Sequence, residues 1–456
     1  MRVKRRLAVA MAGAVAAAGG IAPVALSAAP AQAATTAVTL PITKYSRMLV
    51  DPVHQHLFIT SGSGSSSILV TDYSGQPVAT IPNEPGATGL ALSGDGSTVY
   101  AALVNGDAIS AISTDTLAET ARYATGTGTD PISAAYTSGK IWFGYGTTGH
   151  SGIGSIDPGT SPATVTLNAT HDPFLTWPNA PMLAASPTGD LVAGETGISP
   201  LLLASYDVST GTAKVLSPRK SFTNSSDLDS FQITPDGKDV VVASGAPYYQ
   251  QIFQVSNLSA AGKYPTAAYP NSVSIASDGT VAAGVTTGSN EVFLFAPGGS
   301  SPLNTYNFGS NELAIDGVAL TPDARELFAV TTLNLGASPT LNIITDPVLG
   351  GSSIVMTGPA TVNHRDTFTL NGTLYGAAPY AGGQTLHVTR TDPTNPNGVA
   401  LPDVTTTANG SFRITDTPPK VNMDTATVTY QVSYAGDAHL TASTGTFSVT
   451  VRYDNS

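Results

Sequence analysis

Short apolar runs separated by turn residues occupy most of this sequence. Runs such as 99–103 and 240–243 consist of apolar and aromatic residues, and Gly, Pro, Asn or Asp separates each run from the next. No long stretch places its apolar residues at the 3.6-residue spacing of an amphipathic helix. This pattern predicts an all-β protein with many tight turns.

One sequence element recurs along the first three quarters of the chain. It consists of small and apolar residues, a tight turn that often reads Pro-Asp-Gly, and an apolar strand. Its seven copies begin at Asp51, Ser93, Thr137, Ser186, Thr234, Ala276 and Thr321. Their spacing of 42 to 49 residues is typical of four-stranded propeller blades. The predicted fold is therefore a seven-bladed β-propeller over residues 34–347, followed by an Ig-like β-sandwich.

The repeat also predicts how the ring closes. The last copy supplies three strands and then reaches Asp346-Pro347 without a fourth. Residues 38–42 resemble the outer strand of the first blade, residues 78–82. We therefore expect residues 38–42 to pair with residues 340–345, which completes the last blade and protects its edge.

The sequence changes character after the repeats. Residues 348–353 contain Gly350-Gly351-Ser352-Ser353 and are predicted to be a linker. Seven short strand candidates then follow within residues 354–456, which is typical of an Ig-like β-sandwich. The absence of Cys from the chain excludes the disulfide-bonded antibody type of this fold.

Two segments resemble known bacterial repeat families. Residues 99–129, followed by Asp130-Pro131, resemble the YVTN-type propeller repeat, and the resemblance extends over roughly residues 36–347. That family includes surface-layer proteins and lactonase-like enzymes, so the resemblance implies an architecture and no single activity. Residues 434–440 and 446–451 look like the end of a bacterial Ig-like repeat, a module that implies a spacer or an adhesive unit.

The N-terminus has the organisation of a secretory signal peptide, predicted at residues 1–33. Basic residues at positions 2, 4, 5 and 6 precede an Ala-rich apolar stretch that ends in Ala31-Gln32-Ala33. The Arg5-Arg6 pair also suggests twin-arginine export, but general secretion is favoured. We expect a secreted, extracellular protein, with any attachment to the cell surface non-covalent.

Charge limits the partners that the mature chain can bind. Removal of the signal leaves 15 basic against 31 acidic residues. Such a chain repels nucleic acid and anionic lipid. We therefore expect no nucleic-acid partner, no membrane insertion after signal cleavage, no cofactor or metal, and a monomer. An extracellular glycan or a protein surface is the expected partner.

Three short motifs have alternative interpretations. Residues 144–149 match the glycine pattern of a dinucleotide site, but no helix is predicted after them, so a hairpin loop is favoured. His54-Gln55-His56 could hold a metal, although a surface turn is favoured because no third ligand is identifiable. Four aspartates near the ends of third strands could line a site, but capping of turns is the preferred interpretation. They are Asp72, Asp115, Asp157 and Asp207.

Catalysis is not indicated by any motif, since the chain has no Cys nucleophile and no G-x-S-x-G sequence. We therefore expect a non-catalytic binding protein. The alternative is a lactonase-like hydrolase or lyase that acts at the mouth of the central channel.

Long connections between blades suggest where a ligand binds. Residues 168–181 and 217–230 form longer connections than those between the other blades. Both are expected on the face that also carries the Tyr248-Tyr249 loop. Exposed aromatic rings with nearby polar groups suit sugars or peptides, and Arg or Lys at the rim can orient an anionic or hydroxyl-rich ligand. The predicted ligand-binding residues are His171, Phe174, Trp177, Arg219, Lys220, Tyr248 and Tyr249. The competing interpretation is that these loops simply pack onto the propeller.

Overall fold

The structure, a computed structural model, describes residues 35–452 apart from 172–176, 287, 334–336 and 419–423. The predicted signal peptide, residues 1–33, lies outside the described residues. Within them the chain forms 36 β-strands and one 3-10 turn, Gly62–Gly64, and contains no α-helix. No helix long and apolar enough to cross a membrane occurs among them. The prediction of an all-β chain is therefore confirmed.

Residues 35–345 form seven four-stranded antiparallel sheets, numbered here in chain order. Sheet 1 contains β2 (Arg47–Asp51), β3 (His56–Thr60), β4 (Ser67–Asp72) and β5 (Pro77–Pro82). Sheet 2 contains β6 (Ala87–Leu92), β7 (Thr98–Leu103), β8 (Ala108–Ser113) and β9 (Glu119–Ala124). Sheet 3 contains β10 (Ser133–Thr137), β11 (Lys140–Tyr145), β12 (Gly152–Asp157) and β13 (Thr164–Thr166). Sheet 4 contains β14 (Pro181–Ala185), β15 (Asp190–Glu195), β16 (Leu201–Asp207) and β17 (Lys214–Phe222).

The remaining three sheets follow the same order, except that the last one takes its outer strand from the N-terminus. Sheet 5 contains β18 (Leu228–Ile233), β19 (Asp239–Ser244), β20 (Gln250–Gln254) and β21 (Ala260–Tyr264). Sheet 6 contains β22 (Pro270–Ile275), β23 (Val281–Val285), β24 (Val292–Phe295) and β25 (Asn304–Tyr306). Sheet 7 contains β26 (Glu312–Leu320), β27 (Glu326–Leu333), β28 (Ala337–Thr345) and β1 (Thr35–Thr39).

The seven sheets form a closed ring. Their first strands contact one another in cyclic order, from β2 through β6, β10, β14, β18 and β22 to β26, which contacts β2 again. Each pair of neighbouring sheets encloses its own hydrophobic core, including the pair formed by sheets 7 and 1. A single sheet would leave both of its faces in water, so the packing between neighbours stabilises the ring.

In six of the seven sheets, all but sheet 3, side chains within the turn after the first strand hold that turn. In sheet 2, Asp95 Oδ1 accepts hydrogen bonds from the Ser93 hydroxyl at 2.7 Å and the Ser97 amide at 3.1 Å. Gly96 follows with φ +74°, a conformation that costs little only for glycine. The Asp-Gly motif therefore reverses the chain sharply and lets the second strand pair with the first.

The N-terminal strand closes the last sheet as expected, with a shift in its position. β1 pairs antiparallel with β28, from Thr35 opposite Ile344 to Thr39 opposite Thr340. The partner strand is the predicted one, but the pairing residues are 35–39 and not 38–42. Leu40 comes after the strand and is 2% exposed in the core between sheets 7 and 1. The apolar side chains of residues 38–42 therefore identify where this segment enters the core, and the residues that pair with β28 lie three positions earlier.

Residues 353–452, called here the C-terminal unit, form two further sheets. One contains β29 (Ser353–Thr357), β31 (Phe368–Tyr375) and β34 (Ser411–Asp416). The other contains β30 (Thr361–Asn363), β36 (Ser443–Arg452), β35 (Thr425–Tyr434), β32 (Thr385–Asp392) and β33 (Asn395–Thr405). Side chains from both sheets share one hydrophobic core, and alternate residues along β35 are buried, which is the pattern of a half-buried strand.

A buried glutamate makes the stability of the ring depend on pH. Glu84 is 0% exposed, and its Oε1 accepts a hydrogen bond from Ser110 at 3.0 Å. Burial raises its pKa from 4.5 to about 7. The folded protein thus binds this proton more tightly than the unfolded chain. The stabilising contribution is complete below pH 4.5 and is lost as the pH rises to about 7.

We expect Glu84→Gln to flatten this pH dependence. Thermal melts of the wild type between pH 4.5 and 8 should reveal a loss on the order of 2 kcal/mol that the Gln variant lacks. Asp115→Asn, in an exposed turn of sheet 2, is the control and should retain the wild-type profile. Identical profiles for Glu84→Gln and the wild type would disprove the assignment.

Candidate functional site

The first strands of the seven sheets surround a central channel with two different ends. The lower cavity, about 470 Å³, is lined mainly by apolar side chains and by prolines that follow the first strands. The upper cavity, about 340 Å³, contains Arg47 and Asp316. Beside it opens a further cavity of about 470 Å³, lined by residues that include Arg47, Thr286, Glu312 and Ile315. We call the end of the channel that contains Arg47 and Asp316 the mouth.

Irregular pairing of first strands places polar residues at the mouth. β18 shifts register between Leu228 and Ser230, and β26 shifts between Leu313 and Val318. The first strands of sheets 2 and 6 also shift, whereas those of sheets 1, 3 and 4 pair without any shift. Bulges of this kind redirect side chains and are common beside functional sites. Asp229 and Asp316 occupy these two irregular segments.

The bulge of β26 depends on its local backbone. Asp316 has φ +52°, which is unusual for a residue with a side chain. A Cβ on the next residue, Gly317, would lie 2.6 Å from the carbonyl oxygen of Ala314. The Asp-Gly pair therefore permits a conformation in which the Asp316 carboxylate reaches Arg47 of sheet 1 and Ser230 of sheet 5.

Arg47 and Asp316 join three sheets at the mouth. Arg47 Nε lies 3.0 Å from Asp316 Oδ2, and the Ser230 hydroxyl donates to Asp316 Oδ1 at 2.5 Å. The Tyr45 hydroxyl donates to the Asp316 carbonyl oxygen at 2.7 Å. The remaining donors of Arg47 reach the Ser46 carbonyl oxygen and the Met182 sulfur. The guanidinium group is thus fixed by the protein, and Asp316 compensates its charge.

Three further carboxyl groups near the mouth are uncompensated by an ion pair: Glu312 lines the cavity beside it, Asp229 interacts electrostatically with Arg47 and Asp316, and Asp227 neighbours Asp229. Among the described residues, Asp227, Asp229 and Glu312 make no salt bridge and no side-chain hydrogen bond. Burial, with the neighbouring Asp227 and Asp316 charges, raises the pKa of Asp229 to about 7 against the opposing effect of Arg47. Acidic groups therefore outnumber basic ones here, and they can accept hydrogen bonds from a ligand.

An aromatic pair lies on the same face, beside sheets 5 and 6. The rings of Tyr248 and Tyr269 meet edge to face at 5.2 Å, and their residues are 54% and 51% exposed. The Tyr269 carbonyl oxygen accepts a hydrogen bond from Thr286, which lines the cavity beside the mouth. Ala246, in the loop of Tyr248, bonds to Ser226, next to Asp227. Exposed aromatic surface thus adjoins the uncompensated carboxyl groups.

The prediction that Trp177 presents its ring at the surface is wrong. Trp177 is 2% exposed and belongs to the core between sheets 3 and 4. Its backbone bridges to Ser151, so the long connection packs onto the ring at this point. Arg219 lies over the Trp177 ring at 5.4 Å and stands on strand β17, not in a loop. This pair covers the core and does not form an open contact surface.

The other predicted ligand-binding residues are dispersed. Lys220, also on β17, donates to the Asn257 carbonyl oxygen at 2.5 Å. Tyr249 contacts Lys263 on the outer strand of sheet 5, with Nζ 4.7 Å from the ring centroid. His171 is exposed, and its amide bonds locally to Asn168. Phe174 lies outside the described residues. Of the six predicted residues that the structure describes, Tyr248 is the one whose contacts connect it to the mouth.

The motifs with alternative interpretations form turns. Residues 146–151 connect β11 to β12 as a hairpin loop. His54 Nδ1 lies 2.8 Å from the buried Asp51, whose Oδ1 accepts the amides of Val53 and His54. No group of three or more potential metal ligands occurs within the described part of the chain. Asp72, Asp157 and Asp207 each accept an amide within their own turn, whereas Asp115 is simply exposed.

Sequence reasoning missed Arg47, Asp229 and Asp316 as partners in one site. Asp316-Gly317 inside an apolar strand was the available signal, because an Asp-Gly pair interrupts regular pairing. Arg47 carried no local signal. Its importance depends on the ring, which brings sheet 1 against sheet 7.

Comparison with known proteins supports the fold and identifies no family. No family model and no curated protein matches this chain. Hydrazine Synthase of Kuenenia stuttgartiensis aligns with a TM-score of 0.52 at 17% identity, over 64% of this chain and 94% of that chain. The β-propeller domain of Cps50 (Swd1) of Myceliophteria thermophila aligns with a TM-score of 0.52 at 13% identity, over 68% and 99%. At such identities the likeness concerns the fold alone, and the chain is an all-β protein with β-propeller architecture.

Proposed function

We propose that this chain is a secreted, non-catalytic binding protein that takes an extracellular glycan at the mouth of a seven-bladed β-propeller. The observation that carries the proposal is the set of uncompensated carboxyl groups at the mouth, next to an open cavity and the Tyr248–Tyr269 pair. The C-terminal unit is proposed to be an Ig-like spacer or adhesive module. The YVTN-type character of the repeats belongs to the same proposal.

The chemistry of the mouth favours a ligand that donates hydrogen bonds. Carboxylates accept from sugar hydroxyls and bind ammonium groups more strongly, because a charge-assisted hydrogen bond is about twice as strong as a neutral one. Tyrosine rings offer contact area at a low entropic cost and pack against the apolar face of a sugar. With acids in excess over Arg47, a glycan that bears free amino groups is the best-matched ligand.

The test is calorimetric titration with matched oligosaccharides. Glucosamine oligomers should bind the mature protein, and N-acetylglucosamine oligomers of equal length should bind more weakly because they lack the ammonium groups. Asp229→Asn and Asp227→Asn should each weaken binding roughly tenfold. Asp115→Asn, in a distant exposed turn, should leave affinity unchanged. Equal affinity in all three variants would show that the ligand does not bind at the mouth.

A second candidate function rests on the protonation of Asp229. With its pKa raised to about 7, this residue can donate a proton at neutral pH while Arg47 compensates the nearby Asp316 carboxylate. Two carboxyl groups held in different protonation states are the usual arrangement for acid–base catalysis. Turnover of a glycan or lactone that falls as the pH rises through about 7, and is abolished by Asp229→Asn, would favour a hydrolase or lyase.

A further inference from the structure

The connection between the ring and the C-terminal unit is held at both ends. Val348 is 3% exposed in the core that sheets 6 and 7 share. Tyr306 donates its hydroxyl hydrogen to the Pro347 carbonyl oxygen at 2.6 Å. Gly350, two residues after Val348, pairs with the segment around Leu440, and its amide donates to the His439 carbonyl oxygen at 2.8 Å. A Gly-Ser sequence that suggests a flexible linker is therefore fixed by hydrogen bonds to its surroundings.

A second point of attachment joins sheet 6 directly to the C-terminal unit. His439 Nε2 lies 2.8 Å from Asp278 Oδ2. The ring of His439 stacks on Tyr380 with centroids 3.9 Å apart and an angle of 9° between the planes. The Tyr380 hydroxyl lies 2.9 Å from Thr280 Oγ1. We call these four residues the latch.

Surrounding groups orient the latch. The Thr280 amide and hydroxyl both donate to Asp278, and Asp437 Oδ1 lies 4.0 Å from His439 Nδ1. Burial would raise the pKa of Asp278, but hydrogen bonds from His439 and Thr280 outweigh it and lower the pKa. Asp437 is held in turn by Gln384 at 2.9 Å. The latch is thus an ordered network with a charged carboxylate at its centre.

The latch lies on the side of the ring away from the mouth. Asp278 and Thr280 belong to the turn after β22, and the preceding residue, Ser277, lines the lower cavity. Arg47, Asp229 and Glu312 instead stand at the beginnings of their first strands. The C-terminal unit therefore meets the ring beside the lower end of the channel and leaves the mouth uncovered.

We propose that the latch and the anchored connection lock the two units into one rigid body, in which the C-terminal unit points away from the mouth. A module attached by a flexible tether would sample many directions. Here the His439–Asp278 contact, a ring stack and a Tyr380–Thr280 hydrogen bond oppose rotation about the connection. Any surface that holds the C-terminal unit then faces the lower end of the ring, and the mouth is turned outward.

Spin-label distance measurement tests the lock, because the chain has no cysteine of its own. Labels at Ala118→Cys in the ring and Asn397→Cys in the C-terminal unit report the distance between the two bodies. The wild-type background should give one narrow distance distribution. His439→Ala combined with Tyr380→Phe should broaden it, and the radius of gyration from X-ray scattering should rise.

The matched control is His387→Ala, which removes an exposed pair with Asp403 inside the C-terminal unit. It should keep the narrow distribution. Circular dichroism of each variant confirms that both units remain folded. A broad distribution in the wild-type background, or an unchanged narrow one in the folded double variant, would overturn the proposal.

Discussion

Deletion of residues 34–43 is expected to make the protein aggregate. The deletion removes β1 and leaves the outer edge of β28 unpaired along residues 340–344, while its other edge stays paired with β27. Exposed edges of this length pair readily with other chains. The loss of the buried Leu40 side chain alone should cost about 3 kcal/mol. Light scattering and thermal melts against the chain that begins at residue 34 measure both effects.

Leu40→Ala separates the two contributions. It should lower the melting temperature through the lost burial yet remain monomeric, because β1 still covers the edge. A truncated protein that stays monomeric with an unchanged melting temperature would show that the N-terminal strand does not close the ring.

Asp416→Ala is expected to destabilise the C-terminal unit by about 3 kcal/mol, as is usual when one partner of a buried ion pair is removed. Arg390 Nη1 lies 2.8 Å from Asp416 Oδ2, and both side chains are largely buried. The hydroxyl of Tyr430 donates to the same oxygen at 2.6 Å. The substitution leaves a buried guanidinium with Asp392 as its remaining carboxylate partner. Chemical denaturation followed by circular dichroism measures the loss.

Asp403→Ala provides the comparison within the same unit. Its pair with His387 is 50% and 61% exposed, and such surface pairs contribute less than about 1 kcal/mol. If Asp416→Ala proved as mild as Asp403→Ala, the buried network would not hold the two sheets together.

Much of the ring could be predicted from the sequence, because the same turn and the same apolar strands recur in each sheet. Asp95-Gly96 and its equivalents mark where each first strand turns, and the spacing of these turns sets the length of one sheet. The last copy contains three strands only, which predicts that the N-terminal segment supplies the fourth. The error of three residues arose because Leu40 and Ile42 are apolar anchors, while the paired residues 35–39 are mostly exposed.

The site was harder to predict because it depends on departures from the repeat. The position of Trp177 in a long connection suggests a contact residue, yet its large apolar ring is more stable in the core between two sheets. Asp229 and Asp316 reach the mouth through bulges, and a bulge depends on pairing with a neighbouring strand. Arg47 meets Asp316 only because sheets 1 and 7 become neighbours when the ring closes.

The most direct test of binding at the mouth is hydrogen–deuterium exchange with and without glucosamine oligomers. The proposal predicts slower amide exchange in residues 45–47, 227–231 and 312–317, with little change elsewhere. These segments belong to three different sheets and are joined through the contacts of Arg47 and Ser230 with Asp316. Protection confined to β17 around Arg219 and Lys220, or to the C-terminal unit, or no protection at all, would contradict it.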